Sequence, residues 1–422
     1  MKGVHTSPNP AKAVTASTPN DTTKLFQLEK IVYKPIPVRE LLLEMKNLSE
    51  LMIDLAYSAA LYNDKDLAED VLVLEKRVDS LSYLLDMEIM VAARDAEDAK
   101  ALIGVSIVAA STDKISDASA DIVGIVTGSI GIHPIIGEIF QKVEERLIKV
   151  TVKPNSEIIK KTIDELDLAQ RMGVDIIAIR RNHDWILNPK ETETVFQGDI
   201  LITRGAPSGI EEFKGLAEGK LANLDIEKRA KFEEIVSKFV ELKDTSELMI
   251  DLAYSSLMMN SKELAEEVEQ LEERMDQLHT DFELLALTSD FTKEEASGFL
   301  GLIRLGVATE KIADAAADMA EVVLRGIEPH PILQLTIKEA EETVTQACVT
   351  EDSLLVGKSL KEARVNEETG MRILAIKRND KCLRPRGDSK ISSGDVLIAS
   401  GYAESADALK ILASPAQTCT IE

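Results

Sequence analysis

"SELMIDLAYS" occupies Ser49–Ser58 and returns unchanged at Ser246–Ser255, a shift of 197 residues. The register runs far beyond these ten letters. "NDKDLAEDVLVLEKRVDSL" (Asn63–Leu81) lies over "NSKELAEEVEQLEERMDQL" (Asn260–Leu278), and "STDKISDASAD" (Ser111–Asp121) over "ATEKIADAAAD" (Ala308–Asp318). "HPII" from His133 meets "HPIL" from His330, and "GVDIIAIRRN" (Gly173–Asn182) meets "GMRILAIKRN" (Gly370–Asn379). The offset slips to 196 only near the end, where "GDILITRG" (Gly198–Gly205) lies over "GDVLIASG" (Gly394–Gly401). The chain is a tandem duplication.

Each half changes character midway. Its first part is apolar at i, i+3, i+4 and i+7, as in Leu48, Leu51, Met52, Leu55 and Ala59, which is the period of a helix buried on one face. Three long helices are predicted over 38–62, 65–93 and 97–128, with counterparts over 235–259, 262–289 and 293–325. Asn63–Asp64 and Asn260–Ser261 supply turn and N-cap chemistry. The third helix is rich in Ala and Ser, which permits close helix–helix approach. The second part alternates: "RLIKVTVKP", a helical stretch closing on Gly173, "VDIIAIRRN", "WILNP", "DILITRG" and a last helix over 206–218. That order is βαβββα.

The predicted fold class is α+β multidomain, two three-helix bundles alternating with two small βαβββα modules. The expected boundaries are a flexible tail over 1–30, a bundle over 31–141, a module over 142–218 and a linker over 219–228. A second bundle over 229–338, a second module over 339–415 and a tail over 416–422 follow.

Composition excludes several classes. The 422 residues carry a net charge of −25, which repels phosphate backbones, and an aromatic share of 4% offers few platforms for stacked bases. Nucleic acid is therefore not an expected partner. Cys348, Cys382 and Cys419 form no CxxC pair, as expected of a reduced cytoplasm. No run of apolar residues is long enough to predict a transmembrane helix. No HExxH, GxSxG or GxxxxGK[ST] occurs, Cys382 has no His/Asp constellation, and His183 and His279 have no counterpart in the other copy. No enzymatic activity is expected. His133-Pro134 and His330-Pro331 read as structural helix exits, and Trp185 as packing on its own module.

Carboxylates recur at helical spacing. Glu50 and Asp54 stand four apart on the first helix, Glu75 and Asp79 on the second, and Asp113, Asp117 and Asp121 on the third. The second half repeats them as Glu247/Asp251, Glu272/Asp276 and Glu310/Asp314/Asp318. Like charges at this spacing destabilise a helix by a few tenths of a kcal/mol per pair. A bound cation would remove that penalty; a solvated acidic face beside Lys76, Arg77 and Lys114 is the alternative.

The three helices with their ExxxD pairs resemble the PhoU family. The resemblance implies metal ligands at Glu50, Asp54, Asp113, Asp117, Asp121, Glu247, Asp251, Glu310, Asp314 and Asp318. Iron, zinc or magnesium are the implied ions; Glu75/Asp79 and Glu272/Asp276 match in spacing alone. In PhoU itself the two bundles are consecutive, whereas here each is followed by a module.

"IIAIRRN…LNP…VFQGDILITRG" and "ILAIKRN…LRP…ISSGDVLIASG" resemble the C-terminal (RCK_C) domain of TrkA-type regulators. That domain pairs two by two and binds small effectors, cyclic di-AMP in several families. The matching effector positions are Ile179, Arg180, Arg181, Asn182 and Pro189, then Ile376, Lys377, Arg378, Asn379 and Pro385. A surface pairing of Arg181 and Arg378 with nearby acids is the alternative. No GxGxxG follows a strand, so NAD is not expected. PLP is not expected either.

The combined resemblance is to archaeal proteins carrying both domains. It implies a cytoplasmic regulatory subunit, peripheral to the membrane through a transporter or channel for potassium or another cation. The chain is expected to be a homodimer. A metal-binding regulator of phosphate transport and signalling is the second function it implies.

Overall fold

Asn63 and Asn260 both take the left-handed conformation, φ 48° and 46°, and end the first helix of each half at the same point. Asp64 and Ser261 then accept hydrogen bonds from the Leu67 and Leu264 amides, so the predicted cap chemistry starts the second helices. The computed structural model describes residues 32–218, 232–378, 381–383 and 385–415. The expected tails, the linker over 219–228 and Asn379 lie outside the described residues.

The first half contains α1 (Val38–Tyr62), α2 (Lys65–Ala92), α3 (Ala96–Thr127) and a short α4 (Ile136–Lys142). Its module follows as β1 (Arg146–Thr151), α5 (Ile163–Leu166), α6 (Leu168–Met172), β2 (Val174–Arg181), β3 (Asp184–Leu187), β4 (Ile200–Gly205) and α7 (Pro207–Glu218). The second half repeats this order. Its helices are α8 (Glu233–Met259), α9 (Lys262–Thr288), α10 (Ala296–Leu324) and α11 (Pro331–Glu339). Its module comprises β5 (Glu342–Cys348), α12 (Leu360–Ala363), α13 (Val365–Thr369), β6 (Arg372–Arg378), β7 (Lys381–Leu383), β8 (Val396–Tyr402) and α14 (Ala406–Ala413).

The two bundles do not stand apart. α3 and α10 pack antiparallel, as the cross-pairs Lys114–Asp318 and Lys311–Asp121 show, and join all six long helices in one body. Tyr57 of α1 and Thr309 of α10 share a buried hydrogen bond of 2.8 Å across this seam. Small residues permit the approach: a Cβ on Gly301 would fall 2.1 Å from the Gly131 carbonyl.

Each module is a four-stranded antiparallel sheet, in the orders β1-β4-β2-β3 and β5-β8-β6-β7, with a register shift at Ile176/Ala178 and again at Ile373/Ala375. The modules meet through α6 and α13, where a Cβ on Gly173 would lie 3.6 Å from the Gly370 Cα. These contacts fall at the N-terminal ends of β2 and β6.

The His-Pro pairs correct the sequence reading. Pro331 opens α11 at a position that needs no N–H, and His330 caps it by accepting from the Ile332 amide at 3.2 Å. His133 Nδ1 accepts from the Ile135 amide at 3.3 Å within the turn that leads into α4, whose N-cap is Ile135, so only the second His-Pro pair itself opens a helix.

Candidate functional site

The ladder of α1 has one more rung than the acids alone suggest. Lys46, Glu50 and Asp54 follow at four-residue intervals, as do Lys243, Glu247 and Asp251 on α8. Both ladders face a chamber of about 140 Å³, closed by Glu144 and Glu145 before β1, Glu342 of β5, Arg204 of β4, Arg372 of β6 and Tyr402 of β8. All four domains contribute to it.

Lys46, 3% exposed, donates to both Glu50 oxygens at 2.6 Å and to the Glu342 carbonyl at 2.9 Å. Lys243, 1% exposed, donates to Glu247. Arg204 makes the widest set of bonds. Its guanidinium reaches Asp54 of the first bundle at 2.5 Å, Glu342 of the second module at 2.5 Å and Asp175 at 3.7 Å, and it donates to the Tyr402 hydroxyl. In the second half the register-matched residue is Ser400, which donates to Asp251 at 2.8 Å, and the cation comes from Arg372, paired with Glu144 at 2.5 Å.

Carboxylates outnumber cations here. Burial, opposed by Lys46, pushes the Glu50 carboxyl up to about 7. Burial likewise raises Asp54 to about 8 against the pull of Arg204, and Asp251 to about 7 against that of Arg372. Burial opposes the charge of Arg204, but Glu342, Tyr402, Asp54 and Glu145 outweigh it and hold the guanidinium ionised. Oxygens of Asp54, Glu145 and Glu247 lie within 4.8 Å of one another, a possible cation seat, although Arg204 and Lys243 already bond two of the three.

The ten candidate metal ligands therefore separate into two places. Glu50, Asp54, Glu247 and Asp251 line the chamber, whereas the acids of α3 and α10 join those of α2 and α9 on the helical body. Glu272, Asp276 and Asp314 bring their oxygens within 4.8 Å. Beside them Glu310 is pushed up to about 7 by burial and by Asp314. In the first half burial and Asp117 push Asp113 up to about 6. Asp121 and Asp318 are drawn away into the lysine pairs between α3 and α10.

The effector candidates separate as well. Arg181 grips Asp199, 3% exposed, with two hydrogen bonds of 2.9 and 3.1 Å and also pairs with Glu193. Arg378 grips Asp395, 0% exposed, at 2.6 and 2.7 Å. Each Asp follows the positive-φ Gly198 or Gly394 and accepts a further amide bond, so this Arg–Asp pair locks the turn into the last strand. Ile179 and Ile376 are core residues, and Pro189 is buried. Asn182 sits in a left-handed turn, and Arg180 pairs with Asp64 and Asp66. Pro385 lines a separate cavity together with residues of α9. Arg181 and Arg378 stand at the strand ends opposite to the α6–α13 contact, so pairing within the chain does not form a cleft from them.

Sequence reading missed Lys46, Lys243, Glu145, Glu342, Arg204 and Arg372. The first four were visible as register-matched pairs. Arg204 and Arg372 were not, because the cation moved from one strand to another between the halves.

Comparison with known proteins agrees with this architecture. The TrkA-C domain model matches residues 147–217 and 344–412, and the PhoU domain model matches 42–126 and 239–323. The chain carries PhoU and TrkA-C domains, each twice. The Ktr system potassium uptake protein C of Bacillus subtilis (strain 168) is 35% identical over 65 residues, 15% of this chain and 29% of that protein. The match thus spans under a third of that relative. Among solved structures, PhoU from Pseudomonas aeruginosa aligns at 16% identity and a TM-score of 0.38, covering 68% of this chain and 96% of that one. The GsuK channel bound to NAD aligns at 12% identity and a TM-score of 0.18, covering 72% and 66%. Among the described residues, no helix is long and apolar enough to cross a membrane.

Proposed function

We propose that the chain is a cytoplasmic, non-catalytic regulatory subunit of a potassium or other cation transporter, in which the TrkA-C domains sense a small effector and the PhoU helices relay the signal to a membrane partner. The TrkA-C content and the likeness to a potassium uptake protein support the regulatory role. The observation that carries the relay is Arg204, which ties α1 to strands of both TrkA-C domains. A ligand that prefers one arrangement of the domains shifts the population of that arrangement.

A cyclic dinucleotide or an ion is the proposed effector class. Since Arg181 and Arg378 lock the turns into the last strands, the remaining basic side chains of the motif to test are Arg180, which pairs with Asp64 and Asp66, and Lys377, which faces Glu263. Calorimetric titration with cyclic di-AMP, beside ATP and AMP, is expected to show saturable binding that Arg180→Ala with Lys377→Ala removes. No binding by the wild type removes cyclic di-AMP from the reading.

The acids at Glu272, Asp276 and Asp314 favour a second reading, a metal-binding regulator of phosphate transport and signalling. They bring three carboxylates together on two helices, a donor set suited to a hard cation. Elemental analysis of the protein as purified for iron, zinc and magnesium tests it; metal-free protein that takes up none of the three contradicts it.

A further inference from the structure

An outer crevice lies where each sheet meets the turn between the first two helices. In the first half Lys149 pairs across it with Asp64 at 2.9 Å and Arg180 with Asp66 at 2.6 Å. In the second half the sheet and α9 enclose a cavity of about 620 Å³ over an apolar floor of Leu252, Leu264 and Pro385. Glu144 and Arg372 line this cavity and line the chamber as well; among the described residues they alone do both. Their ion pair of 2.5 Å is the partition between the two spaces.

That partition is held lightly. The Glu144 side chain is 62% exposed and that of Arg372 27%, and an ion pair so open to water contributes little. Arg372 also has acids on its inner side, since Asp251 and Glu247 of α8 face it together with Asp244. A guanidinium that leaves Glu144 therefore finds Asp251 as its next partner. The opposite side of the chamber is built otherwise. There Glu341 stands for Glu144, Asp175 for Arg372 and Asn47 for Asp244. Both Glu341 oxygens accept from the Asn188 side-chain amide, at 2.9 and 3.1 Å, and Asn47 accepts from the Glu341 backbone N–H. Neutral amides close that side, whereas the second-half side sets Glu144, Asp244, Glu247 and Asp251 against Arg372 and Lys243.

We infer that the Arg372–Glu144 pair is a gate, and that the outer crevice of the second half is the route by which water and small cations reach the chamber. The gate is closed while Arg372 bonds Glu144 and opens when that bond breaks. Carboxylates in excess at the mouth favour cations over anions. The gate belongs to the chamber under either proposed function.

The test is the reactivity of a thiol placed inside the chamber, in the full chain carrying Cys348→Ser, Cys382→Ser and Cys419→Ser. Ile53 lines the chamber from α1 and is 5% exposed, so Ile53→Cys reports entry. A buried thiol reacts with a reagent in solvent only as its surroundings open. With aminoethyl methanethiosulfonate, Arg372→Ala and Glu144→Gln are each expected to speed the reaction about tenfold or more. Asn188→Ala, on the opposite side, is expected to leave the rate unaltered. Gln270→Trp, whose ring narrows the crevice, is expected to slow the Arg372→Ala chain again. The anionic sulfonatoethyl reagent is expected to react more slowly than the cationic one. Val78→Cys, buried in the first bundle, reports unfolding and should stay unreactive; if Arg372→Ala exposes it, Glu144→Gln, a change at an exposed residue, decides. Four results overturn the inference: an unchanged rate in both gate variants, an equal gain from Asn188→Ala, no slowing by Gln270→Trp, or equal rates with the two reagents.

Discussion

The two halves share the order of their helices, strands and bulges, yet they are wired differently at the same two interfaces. At the chamber, the first half sends Arg204 from β4 to Asp54, Glu342 and Tyr402, while the second half sends Arg372 from β6 to Glu144. At the outer crevice, the first half is bridged by Lys149 and Arg180, whereas in the second half Gln346 stands in place of Lys149 and Lys377 faces Glu263. Duplication preserved what packing demands and released the charged contacts between domains. The interfaces are thus where the halves became specialised.

The largest expected effect breaks that comparison at Arg204. Arg204→Met leaves Asp54 and Glu342 without their cation at a nearly buried site, and removing one partner of a buried pair costs about 3–5 kcal/mol. Arg372 is more exposed, and Arg372→Met is expected to cost about 1–2 kcal/mol. Urea denaturation of the two variants decides; equal losses would mean the chamber is symmetric in energy despite its wiring.

Arg181→Ala and Arg378→Ala probe a contact the halves share. Each leaves a buried aspartate unpaired, at about 2–3 kcal/mol. Arg181→Ala should be the costlier of the two, because Arg181 also pairs with Glu193. If either variant keeps full stability, the Arg–Asp pair is not what locks its turn.

Stability should also fall as pH rises. Glu50 and Asp251 at about 7 and Asp54 at about 8 lie above their unfolded values of about 4. Between those limits the folded chain holds more protons than the unfolded one, so stability is full below the unfolded values and is lost progressively from about pH 4 to about pH 8. Thermal melting is expected at a lower temperature at pH 8 than at pH 5.5, and Asp54→Asn should flatten the slope. A melting temperature that rises over this range contradicts the burial of these acids.

The smallest effect sharpens the outer comparison. Arg180→Ala removes a partly exposed bridge worth about 1 kcal/mol, and Lys377→Ala, which removes the cation facing the exposed Glu263, is expected to cost less, about 0.5 kcal/mol. Equal effects would indicate that the second crevice is bridged as firmly as the first.

Local signals carried most of the fold. Periodicity placed the long helices to within a few residues, because their apolar stripes repeat in both copies, and Gly173 and Gly370 end the module helices at positive φ, where a left-handed turn favours glycine. The short α4 and α11 escaped because seven to nine residues hold too few turns for a period to show. The site was half legible. Glu50 and Asp54 drew notice as an acid pair, but a carboxylate ladder reads the same whether it meets solvent, metal or an arginine from a strand 150 residues away. Arg181 and Arg378 matched a binding motif and turned out to grip Asp199 and Asp395, whose burial only the tertiary structure reveals.

Hydrogen–deuterium exchange on Arg204→Met tests the relay most directly. If Arg204 couples the PhoU helices to both TrkA-C domains, exchange should accelerate together in α1 and in the β5 strand, which lie on different domains and share this side chain beside the direct bond from Lys46 to the Glu342 carbonyl. Acceleration confined to β4 and its own sheet would contradict the coupling and reduce Arg204 to a local contact.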